Sequence, residues 1–254
     1  MRIRELPEAS GVAASRRTPG IFWVHNDSDR PAVIALDERG TVKGRVRVTG
    51  ADVEDWEDIA VGACPQGSCL YIADIGDNDG KRKHITIYRT PEPAPTDAGS
   101  APVEAFHASY PEGPHDAESL LVTRDSQMFI VTKGDPGDVA LYRFPSSPRA
   151  GEIARLHRVA AAPAVNSGAG RPTAADISPD GRLVAVRTTA WVAFFPTADF
   201  LGGRWQEAAR ADLGFVREAR GEGLTFADTN TLVLVGEGGG AGTFARVSCN
   251  LPSE

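Results

Sequence analysis

The stretch Asp55-Trp56-Glu57-Asp58-Ile59-Ala60-Val61 decides the fold, because the chain repeats its form. In each copy a small or acidic residue opens a short apolar run, and a second strand with a polar end follows about ten residues later. The copies are Ser10-Gly11-Val12-Ala13, Glu57-Asp58-Ile59-Ala60, Glu118-Ser119-Leu120-Leu121, Ala175-Asp176-Ile177-Ser178 and Glu222-Gly223-Leu224-Thr225. Their following strands are Phe22-Trp23-Val24-His25-Asn26, Leu70-Tyr71-Ile72-Ala73-Asp74, Phe129-Ile130-Val131-Thr132-Lys133, Leu183-Val184-Ala185-Val186-Arg187 and Leu232-Val233-Leu234-Val235-Gly236. β-branched and aromatic strands recurring with turn residues between them mark a β-propeller, in which each repeat is one four-stranded blade.

The expected fold is therefore all-β, one propeller domain over residues 1–254. Five copies give about 51 residues per blade, at the long end of the roughly 40 to 50 of blade repeats. A sixth blade stays open if a long loop hides a degenerate copy. Strands are expected at 10–15, 20–26, 32–37 and 42–48 in blade one, and at 57–62, 69–74, 84–89 and 103–110 in blade two. Blade three takes 118–123, 127–133, 139–144 and 153–160, and blade four 175–178, 183–188, 191–195 and a poorly patterned strand near 204–212. Blade five shows only 223–227, 231–236 and 243–248, so residues 2–6 are expected to supply its fourth strand and remove an open edge. The Pro-, Gly- and Ser-dense segment 91–100 reads as a surface excursion that no ladder could hold. Residues 161–172 read as a loop into blade four, and Asn26-Asp27-Ser28-Asp29 leaves the β pattern.

A net charge of -7 argues against a nucleic-acid surface, which needs clustered Lys and Arg. No window approaches eighteen apolar residues, so no membrane span is expected, and the protein reads as a monomer. Met1-Arg2-Ile3-Arg4-Glu5 has no apolar leader. Either the protein is cytoplasmic, or the chain begins after a removed leader and is periplasmic or secreted. Cys64 and Cys69 bracket the turn Pro65-Gln66-Gly67-Ser68, where a hairpin would bring the sulfurs together. A disulfide there would point to an oxidising compartment, and two reduced thiols are the other reading. Cys249 is left over as a core residue.

In a propeller the first strand of each blade lines the central channel. The aligned positions Ser10, Glu57, Glu118, Ala175 and Glu222 then form a ring, and Glu8, Asp55, Asp116, Thr173 and Arg220 a second layer two residues earlier. Carboxylates converging in a narrow channel repel one another unless they are protonated, solvated or joined by a cation. Calcium fits, since it takes about six to eight hard oxygen ligands in flexible geometry, and no Cys/His cluster of zinc spacing is present. The expected ligands are Glu57, Glu118, Glu222 and Ser10. The alternative is a water-filled channel whose acids only keep the opening polar.

A further set is expected at the same mouth, at the ends of the second strands: His25, Asn26, Asp27, Asp74, Lys133, Arg187 and Glu237. Lys133 and Arg187 would hold a small anionic molecule, and His115 or Asp74 would move a proton. Asp74-Ile75-Gly76-Asp77-Asn78-Asp79-Gly80 resembles a calcium loop, but the ligand positions of an EF-hand are not filled.

Glu8-Ala9-Ser10-Gly11-Val12-Ala13-Ala14-Ser15 followed by Phe22-Trp23-Val24-His25-Asn26-Asp27-Ser28 resembles the opening of bacterial extracytoplasmic propellers of the phytase-like and SdiA-regulated type. Asp55 to Ala60, Leu70 to Asn78, His115-Asp116-Ala117-Glu118-Ser119-Leu120 and Gly221-Glu222-Gly223-Leu224 resemble further blade signatures of that group. The architecture is also similar to the five-bladed calcium-activated nucleotidases, a resemblance that implies a central calcium held by Glu57, Glu118 and Glu222. The resulting expectation is a calcium-dependent hydrolase of an ester or phosphoester. Its rival is a non-enzymatic binding propeller with a structural channel ion.

Overall fold

Period-2 alternation sends the side chains of Ile21–Asn26 to opposite faces. Trp23 joins one apolar cluster, with Trp56, Ile59 and Leu70, while Phe22 and Val24 join another, with Val233 and Phe244. All three are buried. A strand buried on both faces belongs to a stack of sheets, and here the stack closes into a ring.

The computed structural model describes residues 1–27, 30–134, 139–162 and 171–251. The chain begins with β1 (Arg2–Ile3) and then builds blade one from β2 (Ala9–Ala14), β3 (Ile21–Asn26), β4 (Ala32–Asp37) and β5 (Val42–Arg47). Blade two is β6 (Trp56–Cys64), β7 (Gly67–Asp74), β8 (Ile85–Pro91) and β9 (Glu104–Ser109). Blade three uses β10 (Ala117–Val122), β11 (Met128–Thr132) and β12 (Val139–Arg143), then β14 (His157–Ala162), after β13 (Ile153–Arg155) has left to pair elsewhere. Blade four is β15 (Pro172–Ile177), β16 (Leu183–Thr188), β17 (Trp191–Pro196), the short helix α1 (Thr197–Leu201) and β18 (Ala209–Asp212). Blade five is β19 (Arg220–Asp228), β20 (Thr231–Glu237) and β21 (Gly242–Ser248), completed by β1 through Arg2↔Thr243 and Ile3↔Gly242. The five inner strands touch in sequence, β2 to β6, β10, β15, β19 and back to β2. The architecture is a five-bladed propeller closed by the N-terminal strand.

Three details differ from the sequence expectation. The single strand expected at 153–160 is two: Leu156 is buried between them and its N–H goes to Ser109 O at 3.0 Å. Ile153–Arg155 therefore lies parallel to β9 on the outer edge of blade two, and only His157–Ala162 completes blade three. Helix α1 was not anticipated. It seats Phe200 between the rings of Phe195 and Trp205.

The segment 91–100, expected to lie outside any ladder, joins one at both ends: Pro91 pairs with Cys69 in blade two, and 98–100 run along the outer edge of blade one, where Arg47 N–H meets Ala98 O at 3.3 Å and Ser100 N–H meets Arg47 O at 2.8 Å. Blades one and two thus have their outer edges covered by segments from the next blade. Of the expected loop 161–172, residues 163–170 lie outside the described residues, as do residues 28 and 29.

Cys64 and Cys69 form a disulfide, with Cα atoms 5.8 Å apart, across the end of the β6–β7 hairpin. Gly67, at φ 105°, makes that tight turn. Cys249 is free and half-buried. Among the described residues no helix is long and apolar enough to cross a membrane.

Candidate functional site

Every inner strand carries a β-bulge near its start: between Ala9 and Val12, Trp56 and Asp58, Ala117 and Ser119, Pro172 and Ala174, and Gly221 and Leu224. A bulge adds an unpaired residue and re-aims its side chain. The residues within these five bulges include Ser10, Glu57, Glu118, Thr173 and Glu222, and all five line one cavity of about 310 Å³ at a mouth of the channel. In blade four the ring residue is therefore Thr173. Ala175, placed in the ring by sequence alignment, sits past the bulge in regular pairing with Val186 and is buried in the joint between blades three and four.

The alignment failed because it matched a different feature. Asp58 and Asp176 share one hydrogen-bond scheme: Asp58 accepts the N–H of Ile59 and of Leu120, each at 2.8 Å, and Asp176 those of Ile177 at 2.7 Å and Phe226 at 2.9 Å. Matching these aspartates puts Ala175 opposite Glu57, yet the blade-four bulge lies farther upstream of its aspartate. The hydroxyls give the better signal. Ser10 Oγ donates to Glu57 O at 2.7 Å and Thr173 Oγ1 to Glu222 O at 3.0 Å, each reaching the ring glutamate of the following blade.

The acids do converge. Carboxylate oxygens of Glu57, Asp116 and Glu118 lie within 4.8 Å of one another, and all three residues are buried. Burial, then Glu118 and Asp55, hold the Glu57 carboxyl well above the usual range. Burial also raises Glu118 against the opposing pull of Lys133, and raises Asp55, with Asp116 adding to it. Glu222 is pushed up to about 7 by burial, then by Glu118 and Glu237. Gly76 lets the β7–β8 loop lie on this cluster, since a Cβ there would collide with the carboxylates of Asp55 and Glu57.

The Lys133 ammonium pairs with Glu118 and stands 3.3 Å from Asp116. Burial alone would lower its pKa, but Glu118 and Asp116 outweigh that and raise it. Asp27 and Glu237 also line the cavity, with Glu237 paired to Arg220. Asn78, which the sequence places only within the calcium-loop-like stretch, and Arg171 and Thr189, which the sequence pattern did not single out, join them there. These three sit on or beside loops, outside the strand pattern from which the ring was read.

The other expected site residues lie elsewhere. Asp74 accepts the N–H groups of Glu54 and Asp55, both at 3.1 Å, and pairs with Arg82 at 2.7 Å, so it shapes the approach to Glu57. His115 is half-buried among Tyr110 and Tyr142, with Nε2 3.1 Å from the Tyr142 hydroxyl, and burial lowers its pKa. Arg187 is fully enclosed between blades four and five, donating to Gly223 O at 2.6 Å and Val235 O at 2.8 Å and paired with Glu218. His25 is buried edge-on to Trp56, and Asn26 ties Glu8 N–H and Glu5 O. The expected anion clamp of Lys133 with Arg187 is therefore not assembled, since one partner is sealed inside a joint and the other is bound to acids.

No family model and no curated protein matches the sequence. Among solved structures, the PQQ-bound form of aldose sugar dehydrogenase from Streptomyces coelicolor is similar at a TM-score of 0.54 and 12% identity, over 96% of this chain and 94% of that one. Hydrazine synthase of Kuenenia stuttgartiensis matches at a TM-score of 0.44 and 14% identity, over 91% of this chain and 56% of that one. The first likeness carries the fold alone.

Proposed function

We propose that this protein is a calcium-binding propeller whose channel mouth recognises a small polar ligand. The observation that carries the reading is the approach of Glu57, Asp116 and Glu118 oxygens to within 4.8 Å of one another, beside a cavity that Glu57 and Glu118 line together with Ser10, Thr173 and Glu222. This donor set is all oxygen, hard and partly hydroxylic, and suits calcium better than a softer ion. Glu57, Asp116 and Glu118 would hold the ion, with Ser10, Thr173 and Glu222 beside them, and the bound ion would polarise a ligand oxygen. The resemblance to extracytoplasmic phytase-like and SdiA-regulated propellers supports a location outside the cytoplasm, as does the Cys64–Cys69 disulfide.

Binding is favoured over ester or phosphoester hydrolysis by one arrangement. His115, Asp74 and Arg187, which hydrolysis would call upon, are each engaged away from the cavity lining. PQQ does not fit either. A tricarboxylate quinone would add negative charge to walls that carry Asp27, Asp55, Glu57, Glu118, Glu222 and Glu237 against Lys133, Arg171 and Arg220.

Thermal unfolding in EDTA and in millimolar calcium tests the reading. Calcium is expected to raise the Tm of the wild type, with little effect on Glu118→Gln. No shift in the wild type would end it. Calcium-dependent turnover of a chromogenic phosphate, carboxylate ester or lactone, abolished by Glu118→Gln, would replace it with the hydrolase.

A further inference from the structure

Lys133 immediately follows β11, and its backbone is fixed by an N–H to Asp116 O bond of 2.9 Å. From that anchor its ammonium reaches Glu118 and, at 3.3 Å, Asp116. These are two of the three carboxylates whose oxygens lie within 4.8 Å of one another. The ammonium is thus among the oxygens that would ligate a metal, and it lines the same cavity. It is a cation already drawn into the ring, an observation separate from the clustering of the acids.

A lysine suits this place because its charge is compact and rides on a flexible four-carbon stem that can swing away without moving the backbone. A divalent ion and an ammonium sharing the same carboxylates would repel each other across a few ångströms of partly buried space. One has to leave.

We propose that Lys133 is a resident counter-ion that a divalent cation must displace, so that the ion is an exchangeable effector rather than a condition of folding. The inference rests on the cation reading above and gives it a regulation. The metal-free ring is partly neutralised from within, and the affinity for calcium is set by competition with a tethered amine. Removing the amine trades independence from metal for tighter binding.

Amine-selective labelling of the wild type with and without calcium, read by mass spectrometry, tests this directly. Lys81, whose side chain is 77% exposed, serves as the control. Labelling of Lys133 is expected to rise severalfold with calcium while that of Lys81 stays constant. In parallel, Lys133→Met, purified in calcium, is expected to bind calcium at least roughly tenfold more tightly than the wild type. It should also lose stability in EDTA that calcium restores.

Calcium that stabilises the wild type but leaves Lys133 labelling unchanged overturns the counter-ion while the cation reading stands. Equal calcium affinity of Lys133→Met and the wild type does the same. If calcium has no effect on the wild type, both fall together. Should Lys133→Met fail to fold even in calcium, the wild-type labelling decides.

Discussion

The carboxylate of Asp58 accepts the backbone N–H of Leu120 at 2.8 Å, so the inner strand of blade two is pinned to that of blade three by a side chain where no ladder exists. Its other oxygen takes the N–H of Ile59, also at 2.8 Å. Burial raises the Asp58 carboxyl well above its usual range, with these two N–H groups opposing. Asp58→Ala strands both donors in a dry joint, at about 1–3 kcal/mol each. A loss of roughly 2–6 kcal/mol in urea unfolding is expected, and Asp58→Asn, which keeps one acceptor, should lose less. Equal midpoints for all three proteins would show that the pin contributes nothing.

Buried His25 and half-buried Glu222 oppose each other across mildly acid pH. Burial holds the His25 imidazole at about 4 against its ordinary 6.5. Below pH 6.5 the unfolded chain takes up a proton that the folded chain refuses until about pH 4, so stability falls with pH across that window, by roughly 3 kcal/mol in all. Glu222 runs the other way. Its carboxyl is raised from 4.5 to about 7, so the unfolded state releases its proton first and stability is lost as pH rises from 4.5 to 7. Unfolding midpoints from pH 4 to 8 should show the acid-side slope flattened in His25→Gln and the rise toward pH 7 improved in Glu222→Gln. Parallel curves for wild type and variants would remove both assignments.

The ring position in blade four separates two substitutions at neighbouring sites. Thr173→Glu adds a fourth carboxylate to the ring of Glu57, Glu118 and Glu222 and should strengthen calcium binding in a titration. Ala175→Glu puts a charge into the apolar joint beside Val186 and Phe195, and should cost several kcal/mol of stability without gain in affinity. The reverse pattern would restore Ala175 to the ring.

The disulfide closes a short loop, with a sequence separation of 5. Chain-entropy reasoning gives such a loop about 2 kcal/mol. The double variant Cys64→Ser/Cys69→Ser should therefore lose about that much, visible as a Tm lowered by a few degrees, and reductant should then have no additional effect on it. A variant as stable as the wild type would show that β6–β7 pairing alone sets this end of the blade.

The blades were legible because each sheet is buried on both faces, which leaves near-continuous apolar strands such as Phe22-Trp23-Val24 and Leu232-Val233-Leu234-Val235. The acid ring was legible in three blades, where Glu57, Glu118 and Glu222 open the apolar run. Thr173 was placed one layer off because a bulge shifts register without leaving a mark in composition. The second-strand ends were harder still. His25, Asp74 and Arg187 follow the same pattern as Lys133, but whether such a residue turns into the channel or into a joint between blades depends on contacts from other blades. Arg187, for instance, is claimed by Gly223 O, Val235 O and Glu218 of blade five.

The segments that return along blades one and two also decide how this molecule meets its own copies. With β5 and β9 already covered, outer hydrogen-bonding rims without a neighbouring strand among the described residues remain on β1, β13, β14 and β18. Strand-by-strand self-association at high concentration would have to nucleate at those outer rims, where β1 and β13 offer only two and three residues and Arg158 and Arg210 set charge against it on β14 and β18.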